Sequence, residues 1–534
     1  MNFLKIGQAQ DLKGKNKIIY RLLEIFPGFL SWSTLIILSI LSTTKPVFVS
    51  FFIIAFDVYW LLLVIYLGIH LITAYIELKR NSKIEWEKKC IEIQKNPIKN
   101  TLSEKFSFKD IVQVIILPTS YESSEIIIPT IEALQSDKFP KKNMIVVLAI
   151  EERTGEDGIK RAKKIKEKFK NSFRNFLITI HPDNLSGEMK GKGANQTWAA
   201  KELKKKIIDS EKINYEKILI SVFDIDTIIK PGYFFCLTYK FLTVENPYNA
   251  SYQPIPFYYN NIWQAPFFAR VAATSNTFWQ MMQQIRYEKL ATYSSHSMTW
   301  KALIDVDFWA TNMVSEDSRI FWHCFLHYNG EYRVEPLHFP ISMDTTMCEN
   351  TYTTFKSLYK QQRRWGWGVE NLPYLIFNFL KKYKKISKRK IIPKILTQIY
   401  GFHSWATNSL IIGFIGWLPI FFGNKEFHNM VISSNLPQVS RTLMILAMLG
   451  MILSAIISTL LLPKRPKKYG FLKSLLMIFQ WLILPISIII FGAFPALEAQ
   501  TRLMINKRLG FQVTPKSRGG KEKNKIKKNN WDQK

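Results

Sequence analysis

The chain has 534 residues, 47% of them hydrophobic, and a formal net charge of +32, so it is long enough for more than one domain. No zinc-finger spacing or recognised nucleic-acid-binding motif accompanies this charge, and we expect no nucleic-acid partner. The four cysteines are scattered without a CxxC spacing, which predicts neither a disulfide nor a metal site and favours a reducing, cytosolic setting.

Apolar segments of membrane length lie near both ends of the chain. Residues 29–76 contain two candidate spans, the first of them short. Three further segments are each long enough to cross a bilayer core of about 30 Å: 400–423, 442–462 and 471–494. Lysine and arginine cluster beside the spans, a pattern that indicates the cytosolic side and contact with anionic membrane lipids. We therefore predict a multi-pass cell-membrane protein whose central part is cytosolic.

Between these segments, apolar runs alternate with amphipathic stretches of helical length. The runs end near Pro118, Glu151, Pro182 and Asp226, and the stretches between them are rich in helix-forming residues. This alternation predicts βαβ units with a parallel sheet, hence an α/β domain. Ligands of such sheets bind at the carboxyl ends of the strands, so we expect the residues at these ends to meet.

Three short polar clusters then follow in order, DID at 224–226, ED at 316–317 and QQRRW at 361–365. Two carboxylates two residues apart after an apolar run are hard oxygen ligands for a divalent cation. A separate carboxylate, Asp317, is a candidate general base, and the fork of donors on Arg364 suits a diphosphate. Together the clusters favour sugar transfer from a nucleotide sugar. Taken singly, each cluster also has another interpretation: a turn for DID, a helix N-cap after Ser315 for ED, and an amphipathic interfacial helix for QQRRW.

These clusters resemble the DxD, ED and QxxRW motifs of membrane-embedded family 2 glycosyltransferases, the group that includes cellulose and hyaluronan synthases. The stretch Lys192-Gly193-Ala194-Asn195 is similar to the family's K-x-A-x-N loop, and the resemblance covers about 105–370. Near the C-terminus, Phe511, Val513, Thr514 and Lys516 are similar to the FxVTxK gating loop of processive members; a juxtamembrane coil is the other interpretation.

The resemblance implies a GT-A-like (Rossmann-like) cytosolic catalytic domain inserted between transmembrane helices. It implies that Asp317 and Glu316 are catalytic, that Asp224 and Asp226 hold Mg²⁺ or Mn²⁺, and that Gln361 and Trp365 contact the acceptor. The implied contacts to the nucleotide sugar are Pro118, Glu122, Glu151, Lys192, Asn195, Asp224, Arg364, Thr514 and Lys516.

Two departures concern the nucleotide. The family's P-x-Y-N-E motif reads Pro118-Thr119-Ser120-Tyr121-Glu122 here, and its second strand normally ends in an aspartate where this chain has Glu151 and Glu152. Recognition of the base is therefore left open.

We divide the chain into five parts: an N-terminal anchor (1–80), the catalytic domain (105–370), an interfacial amphipathic segment (371–399), a C-terminal membrane region (400–497) and a basic cytosolic tail (498–534). For the tail to be cytosolic, one of the three C-terminal apolar segments must re-enter, and Pro485 makes 471–494 the candidate.

The expected function is inverting, metal-dependent transfer of a sugar from a nucleotide-diphosphate sugar to a glycan acceptor, in polysaccharide synthesis. An alternative is non-processive transfer of one sugar to a lipid or short glycan, which the modest number of spans would suit. A transporter or an inactive scaffold is a more remote alternative, because all three motifs are intact.

Overall fold

The computed structural model describes residues 3–382 and 385–510, and its centre is one eight-stranded sheet. The strand order across the sheet is β3-β2-β1-β4-β7-β6-β8-β5. The strands are β1 (Val112–Pro118), β2 (Met144–Glu151), β3 (Asn175–His181), β4 (Ile218–Val222), β5 (Ile228–Ile229), β6 (Ala250–Phe257), β7 (Ser297–Thr299) and β8 (Arg333–Ser342).

The α-helices follow one another along the whole described chain. In chain order they are α1 (Gly14–Thr44), α2 (Pro46–Asn81), α3 (Trp86–Lys95), α4 (Ser124–Ser136), α5 (Gly155–Phe169), α6 (Lys192–Leu203), α7 (Tyr233–Thr243), α8 (Phe267–Ile285), α9 (Trp300–Asp305), α10 (Glu316–His327), α11 (Thr351–Gly366), α12 (Asn371–Lys382), α13 (Lys388–Gly413), α14 (Leu418–Phe422), α15 (Lys425–His428), α16 (Val431–Leu461), α17 (Phe471–Phe479), α18 (Leu484–Ile488) and α19 (Phe494–Met504).

The first half of the sheet has the predicted βαβ organisation. Strands β1, β2 and β4 are buried along their whole length, and β1 pairs in parallel with both β2 and β4. Nearly continuous Val, Ile and Leu runs are expected where helices cover both faces of a sheet. These pairings bring the ends of β1, β2 and β4 to one edge, as the sequence predicted.

The second half of the sheet is mixed, which the prediction of a parallel sheet did not include. Strand β7 pairs antiparallel with both β4 and β6, whereas β6 pairs in parallel with β8. The three-residue strand β7 is too short to show an alternating pattern. Its position is fixed by its two neighbours and not by its own sequence.

Five helical segments in the described part of the chain are long and apolar enough to cross a membrane: Gly14–Thr44, Pro46–Asn81, Lys388–Phe422, Val431–Leu461 and Phe471–Met504. Both predicted N-terminal spans are present, and the first is longer than its apolar run suggested, because helix α1 begins at Gly14. Its first turns are too polar to appear as an apolar run in the sequence. They pack on α12, where the ring of Tyr20 lies 5.3 Å from that of Phe377.

The last of these segments contacts the domain built on the sheet at both of its ends. Near its start, Met477 packs on Trp263 and Gln480 accepts a hydrogen bond of 2.6 Å from buried Arg270. Its middle packs against α1 in a cluster with Leu35 and Leu38. At its end, Ala499 and Leu503 of α19 pack with Val314 and Trp367. The carbonyl of Leu503 also accepts a 2.9 Å hydrogen bond from Arg21 of α1.

The helix of this last segment is irregular in its middle. Pro485 lies at the start of α18, and a π turn follows at Ile489–Ala493. The expectation that 471–494 re-enters stays a prediction. After α19, Arg508 forms an ion pair with buried Glu24 of α1.

Candidate active site

The carboxylates of the DxD motif follow the end of β4 at the ligand-binding edge of the sheet. The N–H of Phe223 still pairs with the carbonyl of Ile116 at 3.0 Å, after which the chain turns. Asp224 remains partly exposed, whereas Asp226 is 1% exposed. Its Oδ2 atom accepts a 3.0 Å hydrogen bond from the N–H of Asp344. The second carboxylate is therefore fixed against the loop that follows β8.

The ED motif forms the first turn of α10, directly after Ser315. The N–H and the hydroxyl of Ser315 donate to Glu370 at 3.1 and 2.7 Å, which fixes the start of this helix. Glu316 is 2% exposed, whereas the side chain of Asp317 is 22% exposed. Burial, together with the negative charge of Asp317, raises the pKa of Glu316 well above its ordinary value. Asp317 is thus the more accessible carboxylate of the pair.

Lys192 joins the two motifs. Its ammonium nitrogen lies 2.8 Å from Asp224 Oδ1 and 3.0 Å from each carboxylate oxygen of Asp317. Burial of the side chain opposes its charge, but the carboxylates of Asp224 and Asp317 outweigh this and raise the pKa of Lys192. The lysine is therefore cationic, and it holds residues from β4 and α10 in one site.

Gly193 allows the start of α6 to lie close to the start of α10, since a larger side chain would separate these two helices. A Cβ atom at Gly193 would lie 2.7 Å from the carbonyl oxygen of Ala310 and 3.1 Å from Glu316 Cβ. Asn195, one turn along α6, is buried and donates to the carbonyl of Ala149 on β2 at 2.9 Å. In this structure the KGAN stretch thus attaches the start of α6 to both β2 and α10.

The QxxRW residues lie on α11, which packs beside the same site. Gln361 accepts a 2.7 Å hydrogen bond from the hydroxyl of Thr346. The ring of Trp365 lies 6.2 Å from that of Tyr258. Burial, with the charges of Asp224 and Asp226, raises the pKa of Tyr258, and Arg364 acts in the opposite direction. The side chains of Tyr258 and Arg364 therefore share the surroundings of the DxD motif.

Several site residues were not identified from the sequence. Tyr258 and Asn260 belong to an aromatic-rich stretch after β6, and the side chain of Asn260 donates to the carbonyl of Asp226 at 2.8 Å and to Asp344 at 2.7 Å. His296 is 1% exposed, and burial lowers its pKa although Asp317 acts in the opposite direction. None of these residues has a motif of its own, and only their contacts reveal them.

A cavity of about 260 Å³ lies at the carboxyl ends of β2 and β3. The predicted contact Glu151 lines it but is held by Arg153, with Nε 2.7 Å from Oε2 and Nη2 2.8 Å from Oε1. Arg153 lines the same cavity and was not identified from the sequence. Pro118 ends β1 at this edge, and Glu122 caps the turn that follows by accepting the N–H of Ser120 at 2.7 Å.

A second cavity, of about 410 Å³, lies between α11 and the end of α19. Its lining is strongly basic and includes Arg364. Its lining residues are Lys356, Lys360, Arg363, Arg364, Arg502, Arg508, Leu509 and Gly510. The predicted gating residues Phe511, Val513, Thr514 and Lys516 lie outside the described residues, directly after Gly510.

Asp224 and Asp226 offer the hard carboxylate oxygens that Mg²⁺ and Mn²⁺ prefer. Among residues 3–382 and 385–510, no group of three or more His, Cys, Asp or Glu side chains could hold a metal ion. Two carboxylates still fit a magnesium-type site, because such ions are commonly held by one or two carboxylates together with substrate phosphates. The pair thus fits a cation that binds together with the diphosphate.

The sequence profile described as glycosyl transferase family group 2 matches residues 219–494, just over half of the chain and including all three motifs. The chain belongs to this family. Family membership, with the mixed sheet and the membrane-length helices beside it, confirms the predicted fold class and the predicted resemblance. It also establishes the general activity, glycosyl transfer.

Among solved structures, the chain is similar to the mannosyltransferase PcManGT from Pyrobaculum calidifontis in complex with GDP-Man and Mn²⁺, with 10% identity, a TM-score of 0.42 and coverage of 76% of this chain and 98% of that one. It is also similar to residues 1–349 of S. aureus TarS in complex with UDP-GlcNAc, with 12% identity, a TM-score of 0.30 and coverage of 66% and 91%. No curated protein matches the chain.

Proposed function

We propose that this family 2 glycosyltransferase transfers a sugar from a nucleotide-diphosphate sugar to a glycan acceptor, with inversion at the anomeric carbon, and thereby builds a polysaccharide. The observation that carries the proposal is the position of Lys192 between Asp224 and Asp317. A transferase must hold the donor diphosphate and the acceptor hydroxyl within one bond-forming distance. The lysine contacts one carboxylate suited to each of these tasks.

Asp317 acts as the general base. Its carboxylate accepts the proton of the acceptor hydroxyl as the hydroxyl oxygen attacks the anomeric carbon. The bond between that carbon and the diphosphate oxygen breaks on the opposite face, so one displacement inverts the configuration. Lys192 lies 3.0 Å from both oxygens of Asp317 and fixes their orientation.

Stabilisation of the leaving diphosphate comes from cationic groups around the same point. Lys192 and Arg364 supply positive charge, with Arg364 suited to two phosphate oxygens at once. A cation held by Asp224 and Asp226 would neutralise further negative charge on the diphosphate. Thr514 and Lys516 would add donors from the segment after Gly510.

The remaining contacts divide between the two substrates. The cavity at the ends of β2 and β3, lined by Glu151 and Arg153, takes the nucleoside of the donor. Gln361 and the ring of Trp365 hold the acceptor, since a flat aromatic face suits a sugar ring. The catalytic domain lies on the cytosolic side, next to the basic clusters that flank the spans.

The test is incubation of the purified full-length protein with a panel of nucleotide sugars and measurement of released nucleotide. We expect release with one donor, loss of release in EDTA and recovery when Mg²⁺ or Mn²⁺ is added. The Asp226→Ala variant should be inactive at every metal concentration. Full activity in EDTA would contradict the metal assignment. A gel that shows a product only one sugar longer than the acceptor would contradict polysaccharide synthesis.

A further inference from the structure

The residues before the first membrane-length helix, 3–12, pack on the domain built on the sheet. Leu4, Ile6, Ala9 and Leu12 are each at most 8% exposed, and they share a hydrophobic cluster with residues of α10. The secondary structure of this stretch consists of two short 3-10 turns, so burial of its apolar side chains is what fixes it. The N-terminal segment (3–12) is therefore part of the domain that carries the active site.

Arg319 of α10 holds this segment from inside the domain. Its side chain is 1% exposed, and Nη1 donates a 2.8 Å hydrogen bond to the carbonyl of Ile6. The Cζ atom lies 3.8 Å from the ring centroid of Tyr374, whose hydroxyl donates to the carbonyl of Leu4 at 3.0 Å. The Nε atom donates to Asn371 at 2.7 Å. These acceptors and the aromatic face compensate the burial of the charge, and they bind the N-terminal segment to α10.

The N-terminal segment also contacts the loop that leads into the ED motif. Asp11 accepts hydrogen bonds from the N–H of Gly7 at 2.8 Å and from the side chain of Asn312 at 3.4 Å. A Cβ atom at Gly7 would lie 2.8 Å from the side chain of Asn312. Lys5 forms an ion pair with Asp307 in the same loop. The segment therefore contacts the chain both before and after the ED motif.

Arg319 and Asp317 project from opposite sides of α10, because two residues along an α-helix correspond to a rotation of about 200°. On one side, Lys192 contacts both carboxylate oxygens of Asp317 at 3.0 Å. On the other side, Arg319 contacts the N-terminal segment. The start of α10 thus lies between the substrate-binding residues and the N-terminal segment, so a shift of the segment moves the carboxylate.

We propose that the N-terminal segment is a positioning element for Asp317, and that Arg319 is the positioning residue through which it acts. This role rests on the proposed function, in which Asp317 accepts the proton of the acceptor hydroxyl. A general base is effective only when its carboxylate is held close to the geometry of the reaction. Loss of the contact with Arg319 lets the start of α10 move, which slows proton transfer. Donor binding depends on Asp224, Asp226 and Arg364 of other elements and is unchanged.

The test uses two variants of the full-length protein. Arg319→Met keeps an unbranched side chain but donates no hydrogen bond, and the second variant has residues 3–8 replaced by a Gly-Ser stretch of equal length. We expect kcat to fall about tenfold or more in both, with the KM of the donor and the Kd of the nucleoside diphosphate within about twofold of the wild type. Hydrogen exchange of the amides of 316–321 should become faster in both variants.

The matched control is Arg286→Met, since Arg286 also lies over a tyrosine ring, that of Tyr66 of α2, at 5.2 Å. It should change neither kcat nor the exchange of 316–321. Unchanged kcat or unchanged exchange in Arg319→Met would overturn the proposal. Nucleotide binding that falls in parallel with kcat would show a role in folding only and would also overturn it.

If the variant with residues 3–8 replaced does not fold, Arg319→Met decides alone. The exchange measurement requires no sugar transfer. Absence of transfer by the wild type would therefore contradict the proposed function, whereas unchanged exchange in the variants would contradict the role of the N-terminal segment alone.

Discussion

At the scale of single residues, the position of one ammonium group explains how the two carboxylate motifs cooperate. Lys192 contacts Asp224 at 2.8 Å and Asp317 at 3.0 Å while it is largely removed from solvent. A buried cation of this kind is stable only because both carboxylates are present. In the proposed reaction, the oxygens of the donor diphosphate are further partners for the same ammonium group. In this proposal, Lys192 therefore links donor binding to the orientation of Asp317.

The role of Asp317 predicts the behaviour of the Asp317→Asn variant. An amide preserves the shape of the side chain but cannot accept the proton of the acceptor hydroxyl, so kcat should fall by roughly 10²–10⁴-fold. Nucleotide binding, measured by calorimetry with the nucleoside diphosphate, should change little. Turnover within a few-fold of the wild type would refute the assignment of Asp317 as the base.

The raised pKa of Glu316 predicts a pH-dependent contribution to stability. In the folded protein, Glu316 keeps its proton at pH values above 4.5, its ordinary pKa, because burial and the negative charge of Asp317 disfavour its charged form. The folded state thus binds more protons than the unfolded state, and stability falls as pH rises from 4.5 through the raised pKa. Glu316→Gln, neutral at every pH, should lose this dependence.

The measurement is the thermal unfolding midpoint of both proteins in detergent across this pH range. The wild type should be relatively more stable than Glu316→Gln at acidic pH, and the difference should shrink or reverse at alkaline pH. A difference that is constant with pH would show that Glu316 does not carry a shifted proton.

At the scale of elements, the site depends on how closely the first turns of α6 and α10 approach. Gly193 is the contact point, since a Cβ atom added there would clash with the carbonyl oxygen of Ala310 and crowd the side chain of Glu316. The first turn of a helix also favours negative charge, which suits Asp317 at the start of α10. The start of α6 therefore places Lys192 opposite Asp317 at the start of α10.

The Gly193→Ala substitution should force these helices apart. Overpacking against backbone commonly costs about 1–3 kcal/mol of stability, and the displaced Lys192 should lower kcat as well. The control is Gly401→Ala on α13, where a Cβ atom meets nothing within 4 Å and alanine favours the helix. The unfolding midpoint and kcat of each variant check this. Equal behaviour of the two variants would show that the close approach is unimportant.

At the scale of the whole molecule, the last helical segment, Phe471–Met504, determines where the residues that follow it lie relative to the active site. Both ends of Phe471–Met504 contact the domain built on the sheet, through Trp263 near the start and through Val314 and Trp367 near the end. Helices α14 and α15 connect α13 to α16. The last described residues, Arg508 to Gly510, lie beside Arg364. This is a requirement of any gating role for residues 511–516.

A labelling experiment tests this arrangement. In a Cys348→Ser background, a Lys516→Cys variant should react with a membrane-impermeant reagent only in inverted vesicles, and bound nucleotide should slow the reaction. The matched control, Asn429→Cys in the exposed turn after α15, should react only from the outside of intact cells. Reaction of position 516 from outside would contradict the re-entrant segment and the gating role together, and would favour non-processive transfer.

Patterns that arise locally were readable from the sequence. The apolar runs of β1, β2 and β4 gave the parallel half of the sheet, since burial on both faces demands continuous Val, Ile and Leu. Hydropathy likewise predicted the membrane segments, because crossing a bilayer requires a run of mainly apolar residues of sufficient length. The DxD, ED and QxxRW motifs identified the family for the same reason: each is a short run of neighbouring residues.

Only the tertiary structure decided what depends on residues far apart in the chain. The contact of Lys192 with Asp317 joins residues 125 positions apart, and that of Arg363 with Glu498 joins residues 135 apart. The short strand β7, the hydrogen bonds around Asp226 and the basic cavity likewise arise from packing between distant elements. No local periodicity encodes such contacts, because each is set by how whole elements fill the space around the sheet and the membrane helices.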